Sequence, residues 1–154
     1  MHNDDLEPNT VITAKIGSSV TALEVLAAEK MRAWAFDFLH ELFSSQNLTF
    51  IATPTVAVVA PELTDAAMIL GENNVPLVMK LLKYIFLANF LGMPGYTVPV
   101  DYIKSANHEL LPVGFHLLGN HWSEHQLLRI ANALDKDFQT NYIRPPFYTD
   151  ILKK

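Results

Sequence analysis

His121-Trp-Ser-Glu-His125 has the H-x-x-E-H spacing of the inverted zincins, in which two imidazoles one helical turn apart bind zinc from one face. Gly119-Asn120 immediately precedes it, and Ser123 is the better helix N-cap. His121 then falls outside the helix and the two rings need not converge. The pattern reads as a helix-entry turn, and no metal site is assigned. Gly17-Ser18-Ser19 with Lys15 nearby is the second candidate, a serine nucleophile with a lysine base. Ile16 and Val20 flank it, so the backbone amides do not fold into an oxyanion nest, and a helix boundary is the stronger reading. The chain has no cysteine, which excludes a disulfide framework, a thiolate metal site and a cysteine nucleophile. No G-x-S-x-G elbow, Walker loop or dinucleotide fingerprint occurs, and no two carboxylates stand out as acid and base. Catalytic residues and cofactors are therefore assigned to none of these positions.

The elements that would position a site are clearer. Thr21-Ala-Leu-Glu24 has capping-box spacing, and Leu23, Ala27, Met31, Trp34, Phe38 and Leu42 recur at helical intervals, so a long helix with one core-facing stripe is expected. Before it, the segment from Pro8 to Ile16 is expected to stop at Gly17, with Ser18 and Ser19 starting the next element. Thr49 to Thr53 is β-branched and apolar, which predicts a buried central strand ended by Pro54. A short helix is expected near Asp65 to Leu70, closed by Gly71. Pro76 suits a helix first turn, and Leu77 to Leu91 is apolar nearly all round, with Lys80 and Lys83 its only charges. One helix buried between layers is predicted there. Its Met79, Tyr84, Phe86 and Phe90 either line an apolar ligand channel or form plain core.

Gly95 to Asp101 and Leu111 to Leu118 read as two strands that pair as neighbours, joined by a polar connection containing Ser105, Ala106, Asn107 and His108. Ser123 begins a last helix with Leu127, Ile130, Ala131, Leu134 and Phe138 as its buried stripe, and Pro145-Pro146 forbids helix beyond it. Helices interleave with strands, so the fold class is α/β, and residues 1–154 form a single segment without an internal boundary.

The 154 residues are 50% hydrophobic and only 18% charged, with mean hydropathy +0.17. Such a chain is neither disordered nor a coiled coil. Its net charge of −5 and lack of a basic block other than the terminal Lys153-Lys154 give no nucleic-acid footprint. The uncharged stretches Leu42 to Pro61 and Tyr84 to Val100 are broken by polar residues, glycines and prolines, so neither reads as a membrane span. The acidic N-terminus is not that of a secretory signal, and an intracellular location is favoured. Peripheral membrane contact stays open.

Several short motifs follow in a fixed order: Ile51-Ala-Thr-Pro-Thr55 with Ala60-Pro61, Ala88-Asn-Phe-Leu-Gly-Met-Pro94, Thr97-Val-Pro-Val100, Leu111-Pro-Val-Gly114 and Leu118-Gly-Asn-His-Trp-Ser-Glu124. In this order they resemble the C-terminal portion of amidase-signature hydrolases, most closely the fatty acid amide hydrolase branch of plants and protists. The final Phe147-Tyr-Thr-Asp-Ile-Leu152 is similar to the end of that branch. The resemblance implies part of a layered mixed β-sheet core flanked by helices. It also implies a parent enzyme in which a lysine, through a cis-serine, activates a serine against an acyl amide. None of those catalytic parts matches a position here, so this chain alone is expected to be inactive, contributing sheet core and a wall of the acyl pocket. In related glutaminyl-tRNA-forming amidotransferases, an acidic residue seven positions before the motif asparagine helps to hold glutamine. Counting back from Asn89 gives Leu82, whose apolar side chain suits an aliphatic acyl chain instead. Met79, Leu82 and Phe86 are the substrate-binding candidates, with an acyl amide as the parent's small-molecule partner. The alternatives are a non-catalytic remnant that binds apolar ligands or a full-length partner, a homodimer, and one component of an amidotransferase.

Overall fold

The computed structural model of the chain describes residues 6–71, 74–107, 109–138, 142–144 and 147–151. His108, the Pro145-Pro146 helix stop, Leu152 and the terminal lysines lie outside the described residues. The elements run α1 (Pro8–Ser19), α2 (Ala22–Ser45), β1 (Phe50–Pro54), α3 (Asp65–Leu70), α4 (Val75–Leu82), α5 (Phe86–Leu91), β2 (Gly95–Lys104), β3 (Leu110–Gly119) and α6 (Glu124–Phe138). The α/β class holds, with an antiparallel sheet of order β1-β3-β2 between helices.

Local signals account for the element ends. The capping box forms at α2, where the Thr21 amide donates to Glu24 Oε2 at 2.7 Å and the Glu24 amide donates to Thr21 Oγ1 at 3.3 Å. The Thr21 amide and the Thr21 hydroxyl, which also donates to Glu24 Oε2 at 2.8 Å, hold the Glu24 carboxyl below its usual pKa. Gly71 closes α3 as expected, and the Thr64 hydroxyl caps its start by accepting from the Ala67 amide at 3.1 Å. The Leu77 amide donates to Asn74 Oδ1 at the start of α4, one residue after Pro76. Gly92 ends α5 in the left-handed region at φ 66°, where a side chain would be strained.

Four expectations are corrected. Helix α1 passes through Gly17 and ends at Ser19, with the Ser18 and Ser19 hydroxyls donating back to the Lys15 and Ile16 carbonyls of its last turn. That bonding makes Gly17-Ser18-Ser19 part of a helix end. Strand β1 is not central: it lies at the sheet edge and β3 takes the middle. The predicted single helix over Pro76 to Leu91 is broken into α4 and α5 at residues 83–85, and α4 buries none of its side chains. The fourth correction concerns α2, whose stripe from Leu23 to Phe38 is exposed while Leu39 and Phe43 at its C-terminal end are buried.

The core lies on both sides of β3, because successive strand residues face opposite ways. Leu118 packs with Leu39 and Phe43 of α2, Ala88 and Leu91 of α5, and Met93. Leu117 is 0% exposed on the other side, and α6 packs on β2 and β3 through the stripe that includes buried Leu127 and Ala131. The β2–β3 pair runs from Gly95–Leu118 to Lys104–Leu110, with a bulge between Pro99 and Asp101, where proline supplies no ladder donor. Helix α6 approaches β3 so closely that a Cβ on Gly119 would sit 2.4 Å from Ser123 Oγ and 3.0 Å from Leu127 Cδ1. Gly119→Ala is therefore expected to cost about 1–3 kcal/mol through overpacking, read as a lower urea midpoint. An unchanged midpoint would show that α6 shifts freely on the sheet.

His116 is buried in the centre of the sheet, cross-strand from Thr53 and Thr97, with Nδ1 3.5 Å from Thr53 Oγ1. Gly95 leaves it room, since a Cβ there would stand 2.8 Å from Nε2. Burial disfavours the imidazolium and pushes the His116 pKa down. Below the unfolded value of about 6.5 the unfolded chain binds more protons than the folded one, so stability is full above that pH and falls as pH falls through it. The urea midpoint is expected to drop from pH 7 to pH 5, and His116→Gln is expected to flatten that drop. Equal slopes in the two proteins would remove His116 as its cause.

Candidate functional site

The apolar positions from Val75 to Leu91 fold as two short helices because the turn at Lys83-Tyr84-Ile85 interrupts them, the Ile85 amide donating to the Leu82 carbonyl at 3.2 Å. Met79 and Leu82, three residues apart on α4, keep helical spacing with Phe86 at the start of α5, four residues further on, across that turn. The three side chains line one cleft of about 360 Å³, joined only by Lys83. They are between 37% and 59% exposed, so the cleft is an open trough. Behind it, Phe86 and Phe90 are tilted with centroids 6.1 Å apart, and the α5 side chains Ala88 and Leu91 anchor the helix in the core. The Lys83 ammonium lies 5.1 Å from the centroid of the Tyr84 ring. Chemically the trough offers apolar contact along its length and a single cation on its wall. Its lining holds no hydroxyl, imidazole or carboxylate.

All three sequence-predicted site residues thus share one trough. Lys83 was not among them. Its signal was its rarity, as one of only two charges in an otherwise apolar stretch.

The remaining candidates are dispersed. His121 lies in the turn before α6, where its Nε2 donates to the Leu91 carbonyl at 2.9 Å and its ring meets Phe36 at 4.6 Å between centroids. It ties α2, α5 and the entry of α6 together. His125 is exposed on α6. Ser123 stands immediately before the helix as expected, its hydroxyl donating to the Asn120 carbonyl at 2.6 Å. Trp122 between them takes φ 66°, a left-handed conformation unfavourable for a bulky residue. Among the described residues, no group of three histidines, acids or cysteines gathers as a metal site.

A second cleft of about 390 Å³ lies over β2 and includes Tyr96, Tyr102, Asp135, Tyr142, Arg144 and Tyr148 in its lining. Its polar groups bond one another. Tyr142 Oη donates to Asp135 Oδ1 at 2.8 Å, which with the carboxylate charge pushes the Tyr142 phenol up to about 12. The Ile143 amide donates to Tyr102 Oη at 3.0 Å, and the Arg144 guanidinium lies 4.4 Å from the Tyr148 centroid. The first two contacts fasten Tyr142 to α6 and Ile143 to β2.

An α/β sheet with an apolar trough beside it is the framework on which comparison with known proteins bears. The amidase family model matches residues 5–128, and the chain belongs to the amidase family. It is similar to proteins named fatty acid amide hydrolase: 34% identical over 134 residues to one from Oryza sativa subsp. indica, covering 87% of this chain and 21% of the relative. The similarity to one from Medicago truncatula is 33% over 147 residues, covering 96% of this chain and 23% of the relative. A protein of the glutamyl-tRNA(Gln) amidotransferase from Vesicomyosocius okutanii is 37% identical over 108 residues, covering 70% of this chain and 20% of the relative. The chain thus spans between about a fifth and a quarter of the length of these relatives. No single helix among the described residues is long and apolar enough to cross a membrane. The pair α1 and α2 passes that test together but is bent by 94°.

Proposed function

We propose that this chain is the part of an acyl-amide amidohydrolase that supplies sheet core and an apolar wall for the acyl chain, with the serine chemistry provided by amidase sequence outside it. The observation that carries the reading is the convergence of Met79, Leu82 and Phe86 on one trough. Each methylene moved from water onto such a surface contributes up to about 0.8 kcal/mol, so a chain of several carbons is held by length rather than by polar contacts. Lys83 on the same wall supplies a cation that an amide or carboxylate oxygen at the end of that chain would favour. Leu82 supports an acyl substrate over glutamine, because an apolar side chain leaves a ligand ammonium unpaired. The wider match to the fatty acid amide hydrolases, 96% of this chain for the Medicago relative against 70% for the amidotransferase relative, points the same way.

The test pairs binding with turnover. The chain alone is expected to bind a long-chain acyl amide, more tightly as the acyl chain lengthens, and to release no amine from it. Hydrolysis by the chain alone would overturn the division of labour, and affinity independent of acyl length would overturn the pocket.

A further inference from the structure

The chain exposes far more surface than its mass requires. Its accessible area is 12099 Å², whereas area–mass scaling gives about 7,800 Å² for a folded monomer of 17.3 kDa. The surplus of about 4,300 Å² compares with about 800 Å² that each partner buries in a standard interface, and about 2,500 Å² in a large obligate dimer. A second copy of this chain would leave much of it uncovered.

Part of that surplus has a pattern. Stepping about 100° per residue around α2, Leu23, Ala27, Met31, Trp34 and Phe38 form one stripe. The helix buries Leu39 and Phe43, with Ala35 and Leu42 against the core, on a face turned roughly 120° away. Thus α2 has two apolar faces and the chain covers one. The free stripe has Leu23, Met31, Trp34 and Phe38 at 78%, 61%, 61% and 51% exposure, with the Trp34 and Phe38 rings stacked at 5.6 Å. Asp37 and Glu41 flank it, and the chain carries −5, a charge balance unsuited to an anionic lipid surface.

We infer that the α2 stripe is the docking surface for the rest of an amidase domain, the portion that the relatives contain and this chain does not match. That portion is more than three-quarters of the Medicago relative, a body large enough to account for the surplus. The inference rests on the proposed role of the chain as part of an amidase, and it uses residues separate from the Met79, Leu82 and Phe86 trough. A tryptophan at the centre of a packed stripe is the kind of residue that dominates such an interface.

The experiment mixes the full chain with the Medicago relative from which the matched segment has been deleted, and measures complex formation by size exclusion with light scattering. A one-to-one complex is expected, with new amide protection along α2. Met31→Glu and Trp34→Glu together are expected to weaken it about tenfold or more. Both side chains are exposed, so protection of β3 is expected to stay unchanged in the variant, separating lost docking from lost folding. Absence of a complex overturns the inference. So does a self-dimer, or binding to phosphatidylcholine vesicles, that Trp34→Glu abolishes while no complex with the truncated relative forms. Complex formation without acyl-amide binding upholds docking and overturns the proposed function. Acyl-amide binding by the chain without complex formation does the reverse.

Discussion

Leu117→Ala is expected to cost about 2–5 kcal/mol, the largest stability effect of any single substitution considered in this chain. Leu117 has 0% exposure on β3, the strand that both other strands pair with, and α6 covers that side of the sheet. Removing the isopropyl end of its side chain loses the transfer free energy and leaves a cavity between two layers that share the same strand. Folded domains retain about 5–15 kcal/mol in total, and a chain with so much apolar surface in water starts near the lower end. The variant is thus expected to lose most of its cooperative urea transition, followed by far-ultraviolet circular dichroism. Leu128→Ala on the exposed side of α6 is the matched comparison and is expected to change stability by no more than about 0.5 kcal/mol. Similar midpoints for the two variants would contradict the placement of the core.

The second large effect concerns binding. Leu82→Asp places a carboxylate on the wall of the trough, against the aliphatic chain of the proposed ligand. The charge either stays hydrated and holds water in the trough or is desolvated at considerable cost. Affinity for a long-chain acyl amide is expected to fall about tenfold or more, a loss equivalent to about two buried methylenes. Leu82→Met conserves volume and apolarity and is expected to bind nearly as the native chain does. Titration calorimetry of both variants, with stability checked alongside, measures this. Leu82 contributes no buried core contact in α4, so folding and binding are separable here. Equal affinity in all three proteins would remove Leu82 from the site.

The parts of the fold legible in the sequence are those set by short-range chemistry. The Thr21 and Glu24 box, the Gly71 stop of α3, and the stripe of α6 each depend on residues a few positions apart. The β2–β3 pairing follows because the strands are neighbours in sequence with a polar turn between them. The break at residues 83–85 was hidden, since no glycine, proline or capping side chain marks it in an apolar run. Likewise the edge position of β1 depends on a pairing with β3 across more than sixty residues, which periodicity does not encode. For α2, the spacing shows that a face is apolar but not what lies against it. Gly17 also misled, because a glycine inside a helix costs only about 1 kcal/mol and serines can bond back to the preceding turn.

The residues of the candidate trough were legible to a similar extent and for related reasons. Met79, Leu82 and Phe86 were singled out by apolar character and, for Leu82, by family resemblance, and their helical spacing lines them along a common trough across the helix break. Lys83 lies four residues after Met79, so the same helical spacing pointed to it, but a reading for an apolar wall passed over a charged side chain. By contrast, His121 had the more conspicuous motif and serves packing, bonding Leu91 and resting on Phe36.

Photolabelling tests the central claim most directly: the chain is irradiated with a long-chain acyl amide carrying a diazirine near the middle of its acyl tail, and the modified residues are read by mass spectrometry. Labels concentrated between Met79 and Phe86, competed by unlabelled acyl amide and reduced in Leu82→Asp, are the predicted result. Labels confined to the second cleft over β2, or spread without competition along the α2 stripe, would contradict it.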